Sequence, residues 1–212
     1  MTCRCNDVET VPWSFFTDHV VLHAKGVPQD VAEHVVRQAA IEWARVTLSL
    51  QRDLYIDMQA CVQDYRLEPP DGYTIHAVRE VEVCGCCLTA RTGPPCGSCD
   101  LRTNEFYFQK TCNLLVGRTV PCDTPEALLA RVVVIPGQQS CEIDKWVYDT
   151  WAEDIGNGAL SRLLLMKDAS WYSTADAGIM LRRWKNALNR AKGAQAKSHV
   201  SGPTFMGRRR FI

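Results

Sequence analysis

The 212-residue chain has no apolar run longer than four residues; Val132-Val-Val-Ile135 and Leu163-Leu-Leu-Met166 are examples. A helix that crosses a bilayer needs about 20, so no membrane span is expected. The first nine residues hold no apolar h-region. A secretory leader is therefore not expected, and a reducing site of synthesis is. Familiar enzyme signatures are missing too: there is no G-x-S-x-G, no H-E-x-x-H and no Walker phosphate loop. Gly156-Asn-Gly158-Ala-Leu-Ser161 lacks the third glycine of a dinucleotide loop and follows no strand. It reads as a break between two helices. The carboxylates are scattered, with no pair placed for acid–base work. Acidic residues stop altogether at Asp176.

That last absence unbalances a chain that is neutral overall, with 24 Lys+Arg against 24 Asp+Glu. Nine of the cations lie between Ala177 and Ile212, which leaves 15 cations with all 24 anions before them, a formal −9 against +9. A basic tail on an acidic body suggests a docking arm for nucleic acid or for an acidic partner surface. At 46% hydrophobic and 23% charged, the body itself has the composition of a globular domain.

Hydrophobic periodicity divides the chain. A short helix is expected over 13–24, broken by Gly26-Val-Pro28. A long amphipathic helix is expected over 29–51, because Val31, Val35, Ala39, Trp43, Val46 and Leu50 recur every three or four residues. The pattern then becomes mixed to period two. Residues 74–83 and 105–116 alternate as strands do, 121–125 reads as a proline-rich loop, and 131–136 reads as a short buried strand. Helical spacing returns over 140–156 and 158–167. A final helix runs from Thr174, a plausible N-cap, to about 196, with Ala177, Leu181, Trp184, Leu188 and Ala191 as its inner stripe. The expected fold is α+β: a helical bundle built from the N- and C-terminal helices (1–53 and 140–197), an inserted small antiparallel β domain (54–139), and an extended C-terminal arm (198–212).

Eleven cysteines cannot all pair within one chain. The sharpest local pattern is Cys84-Gly-Cys-Cys87, eight residues, then Cys96-Gly-Ser-Cys99, in a Cys-rich loop over 84–99. Two C-x2-C pairs can hold one Zn²⁺ in a closed tetrahedral site, so Cys84, Cys87, Cys96 and Cys99 are the candidate ligands of a structural zinc. The spacer is short for a zinc ribbon, and the competing reading is free thiols in a hairpin loop. His19 and His23, four apart on a helix, could share a metal, although packing or surface roles are the default for two histidines alone. Trp13, Trp43, Trp146, Trp151 and Trp184 fall on helical stripes and are read as core anchors, with Trp171-Tyr172 packed in the loop before the last helix.

The order of several pieces resembles the head-to-tail connector adaptors of tailed bacteriophages, the group that includes the tail tubular protein A adaptors of short-tailed phages. The pieces are Trp13-Ser-Phe-Phe, the Gly26-Val-Pro28 break, Ala32-Glu-His-Val-Val-Arg-Gln-Ala-Ala-Ile-Glu-Trp43, and Asp64-Tyr-Arg-Leu-Glu-Pro-Pro-Asp-Gly-Tyr73. They continue with Trp151-Ala-Glu-Asp-Ile-Gly-Asn-Gly-Ala-Leu160, Arg183-Trp-Lys-Asn-Ala-Leu-Asn-Arg-Ala-Lys192 and the closing Arg208-Arg-Arg-Phe-Ile212. The resemblance implies a non-enzymatic structural virion protein, made in the host cytoplasm. It implies a dodecameric ring beneath the portal that extends the DNA channel and receives a tail nozzle or tube on its far face. It also implies that the terminal arm, with Arg208, Arg209, Arg210, Phe211 and Ile212, docks on the portal, and that genomic DNA passes without tight binding. The segment 84–99 departs from the family pattern. Two other readings compete: a zinc-stapled nucleic-acid-binding protein using the basic C-terminal helix and arm, and an enzyme with a reactive cysteine, for which no matching His/Asn signature is present.

Overall fold

The structure, a computed structural model, describes residues 8–91, 106–110, 113–167 and 169–198. The chain enters through strand β1 (Thr10–Pro12) and a 3-10 turn (Trp13–Phe16), which passes directly into helix α1 (Thr17–His23). Helix α2 (Gln29–Thr47) follows. Pro28 caps it in an extended conformation, and Asp30 sits in the first turn, where negative charge meets the positive end of the helix dipole. The buried face of α2 carries Ala32, Val36, Ala39, Ala40, Trp43 and Ala44. Alanine at four of these positions lets neighbouring elements come close.

The expected continuation of α2 to residue 51 does not occur. Leu48 is left-handed (φ 56°) and its N–H donates to the Ala44 carbonyl at 2.9 Å, which ends the helix. Leu50, in register with the helical stripe, is buried instead at the entry to a strand. That strand is β2 (Gln51–Met58), followed by β3 (Asp64–Arg66), β4 (Tyr73–Val83), β5 (Cys86–Cys87) and β6 (Thr89–Ala90). Then come β7 (Phe106–Lys110), β8 (Asn113–Val116), β9 (Thr124–Pro136) and β10 (Glu142–Asp144). Among the described residues, two sheets have four strands, in the orders β2-β9-β4-β5 and β3-β8-β7-β6; β1 pairs with β10 to make a third. All pairings are antiparallel except β6 with β7. Helices α3 (Lys145–Leu163) and α4 (Thr174–Ser198) complete the described chain. Among the described residues, no helix is long and apolar enough to cross a membrane.

The expected architecture needs correction. A helical bundle made by the two terminal regions, carrying a small antiparallel β domain as an insert, is not what this chain forms. Helices α2, α3 and α4 touch one another, but α2 also packs on β9. One contiguous apolar cluster runs from Trp43, Ile155 and Trp184 on the helices to Leu54, Val81, Leu128 and Val132 on the sheet. Burying both faces together removes more apolar surface from water than two separate small cores would. The result is a mixed α+β body in which helices and sheets share a core. The extended arm expected at 198–212 lies, from residue 199 on, outside the described residues.

Helix α3 also overrides the expected break at Gly156 and Gly158. Both glycines are buried inside a continuous helix. Their role is close approach: a Cβ on Gly156 would stand 2.6 Å from His19 Cδ2, and one on Gly158 would stand 2.8 Å from Trp184 Cδ2. Gly158→Ala is therefore expected to destabilise by about 1–2 kcal/mol, overpacking outweighing the better helix propensity of alanine. Gly178→Ala on α4, where a Cβ would meet nothing within 4 Å, is expected to stabilise by about 0.5–1 kcal/mol. Urea unfolding midpoints of the two variants, moving in opposite directions, test the assignment.

Candidate functional site

The outward face of the β2-β9-β4-β5 sheet gathers most of the chemistry. Val81 and Val83 of β4 point into the core, so by strand alternation Glu80 and Glu82 point out. A two-residue turn, Cys84-Gly85, reverses the chain into β5. Both residues have positive φ, 50° and 74°, the geometry of a tight hairpin turn that glycine accepts freely and cysteine does not. The turn sets the register Val83↔Cys86 and Glu82↔Cys87, which places Cys87 beside the two glutamates. A register shift between Val78 and Glu80 brings Arg79 to the same rim. Arg79, Glu80, Cys87, Leu88, Tyr107 and Arg131 line an open depression of about 390 Å³.

A row of charges crosses this face. Arg131 on β9 donates from Nη1 to Glu80 Oε2 at 2.5 Å and from Nε to Asp53 Oδ1 on β2 at 3.0 Å. The bond to Asp53, with the neighbouring carboxylates, raises the Arg131 pKa further. The free oxygen of Glu80, Oε1, accepts from Cys87 Sγ at 3.6 Å. Loss of water against the sheet, the bond to Glu80 and the charge of Glu82 push the Cys87 thiol above its ordinary value. Burial, with Glu80 close by, does the same to the Tyr107 hydroxyl. The ligand atoms of Glu80, Glu82 and Cys87 all lie within 4.8 Å of one another.

Of the four cysteines singled out by spacing, Cys84 sits in the turn and Cys87 on β5, both exposed. Cys96 and Cys99 lie outside the described residues, as do Arg208, Arg209, Arg210, Phe211 and Ile212. The His19 and His23 rings lie 4.7 Å apart between centroids, tilted by 48°. His19 lies 3.4 Å from Asn157 Oδ1 and His23 lies 3.0 Å from the His19 carbonyl. These are packing contacts, and among the described residues the pair collects no third metal ligand. The faint loop motif at 156–161 is buried helix. Of the tryptophans, Trp13, Trp43 and Trp184 are buried; Trp146 is half-exposed but packs edge-on to Trp43. Tyr172 is exposed, contrary to the expectation that it packs.

No protein-family model and no curated protein sequence matches the chain. Its chemistry must be read from its own surfaces, and α4 supplies the second of them. Ala177, Met180, Trp184, Ala187 and Ala191 are its buried residues. This shifts the expected stripe: Leu181 is exposed, and Met180 and Ala187 are buried in its place. Its exposed residues include Ile179, a turn from Arg182 and Arg183, and on the other flank Leu181, a turn from Lys185, with Lys192 further along. Arg190 is engaged by both oxygens of Asp154, each at 2.9 Å.

Proposed function

We propose that the chain is a structural virion protein, a head-to-tail adaptor that docks on a portal and receives the tail on its opposite face. The observation that carries this reading is the outer face of α4. Exposed Ile179 lies a turn from Arg182 and Arg183, and exposed Leu181 a turn from Lys185; α4 also carries Lys197, and the chain beyond it adds three arginines with no acid among them. An amphipathic, one-signed surface of this kind suits an acidic protein partner: the charges steer encounter and the apolar residues hold it. The ordered sequence pieces from Trp13 to Ile212, which resemble the connector adaptors, favour a portal as that partner. An acidic body with a basic end also offers the complementary patches that head-to-tail contacts in a closed ring require.

Binding of the purified chain to cognate portal rings tests the proposal. The full chain is expected to bind, deletion of 199–212 to abolish binding, and the double charge reversal R182E/R183E to weaken it at least tenfold. Equal binding by these variants would overturn it. Tight duplex DNA binding that weakens steeply with salt, with no affinity for portal, would transfer the same cationic face to the nucleic-acid-binding reading.

A further inference from the structure

We propose that Glu80, Glu82 and Cys87 form a divalent-cation site that takes Zn²⁺ in preference to Mg²⁺ or Ca²⁺. The three donors come to one face through strand alternation and the Glu82↔Cys87 pairing of the tight hairpin. Their ligand atoms already lie within 4.8 Å of one another. Around a tetrahedral zinc, with Zn–S of about 2.3 Å and Zn–O of about 2.0–2.2 Å, neighbouring ligand atoms stand roughly 3–4 Å apart. A contraction of about an ångström, made by rotamer changes of Glu82 and Cys87 around the held Glu80, closes the set.

The donor types decide the ion. A thiolate beside two carboxylates suits a borderline-soft metal, whereas Mg²⁺ and Ca²⁺ call for oxygen alone. On binding, the Cys87 S–H proton passes to solvent and the sulfur lone pair forms the Zn–S bond. Arg131 holds Glu80 Oε2 and is itself held by Asp53, so Glu80 presents Oε1 in a fixed direction. A fourth position stays open toward the depression, for water or an exogenous anion. The site shares only Cys87 and nothing else with a four-cysteine cluster, and it does not depend on the docking role of α4.

The test uses the full-length chain, reduced and stripped of metal, titrated with Zn²⁺ against a competing chelator. Saturable uptake is expected, insensitive to excess Mg²⁺, and the Co²⁺ form is expected to show a sulfur-to-metal charge-transfer band. C87S and E82Q are each expected to weaken binding at least about tenfold, and C96S/C99S to leave it unchanged. In the unmutated chain, Zn²⁺ is expected to slow alkylation of Cys87 at least tenfold and to leave exposed Cys61 and Cys141 reacting as before. No saturable uptake, wild-type affinity in C87S or E82Q, loss of binding in C96S/C99S, or equal protection of all three thiols would each overturn the proposal.

Discussion

Asp144→Ala is expected to lower the free energy of unfolding by about 3–5 kcal/mol, the cost of stranding a buried charge. The carboxylate of Asp144 is wholly buried and serves three donors. Arg52 Nη2 lies 2.5 Å from both of its oxygens, the Tyr73 hydroxyl donates to Oδ1 at 2.6 Å, and Trp146 Nε1 donates to Oδ2 at 2.9 Å. The Asp144 N–H in turn donates to the Tyr73 oxygen at 3.2 Å. Burial, then the Asp144 charge, pushes the Tyr73 hydroxyl pKa well up, so it remains the donor at any ordinary pH. One side chain thus ties β2, β4, β10 and α3 together. Alanine would leave the mostly buried Arg52 guanidinium without its counter-charge. The double variant Asp144→Ala/Arg52→Met is expected to recover only part of the loss, because Tyr73 and Trp146 still lack an acceptor. A double-mutant cycle on urea unfolding measures this coupling.

Trp13→Ala is expected to cost about 3–5 kcal/mol as well, by a different route. Its ring is almost fully buried, packs against Phe16 at 6.0 Å between centroids, and donates from Nε1 to the Ser140 carbonyl at 2.7 Å. Truncation opens a cavity where the N-terminal segment meets the loop that leads into β10. Trp13→Phe separates the two contributions: it keeps most of the ring volume and leaves the Ser140 carbonyl unpaired, for an expected loss of about 1–3 kcal/mol. Urea midpoints read both variants, with an unchanged m-value expected if the native state is intact.

Elements governed by local periodicity were legible in the sequence. The long helix from Gln29, the strand β4 and the helix from Thr174 follow from apolar spacing alone. Elements governed by distant partners were not. The sequence reads as a loop over 121–125 because of its two prolines, and as a strand only from 131, yet β9 begins at Thr124; Glu126 is left-handed there (φ 49°), and Asp57 on the neighbouring strand holds its N–H at 2.9 Å and keeps the segment in the sheet. Gly156 and Gly158 look like breakers until His19 and Trp184 are seen against them. The site on the outer sheet face escapes the sequence reading, in which the carboxylates are scattered. Alternation places Glu80 and Glu82 together, but only strand order brings Arg131 and Asp53 to them, and only the hairpin register brings Cys87. Helices at both ends of the chain and strands between them suggest two separate cores; the packing of α2 on β9, which sequence order does not reveal, merges them.

Strand β9 lies between β2 and β4 and supplies the hydrogen-bonding partner to both. In a chain emerging from the ribosome, β2 and β4 are complete at residues 58 and 83, but their shared neighbour is complete only at 136. Through that interval two long strands wait with unsatisfied edges, the condition in which nascent chains self-associate or recruit chaperones. Slower synthesis between residues 83 and 136 is therefore expected to lower the share of this protein that reaches its native form.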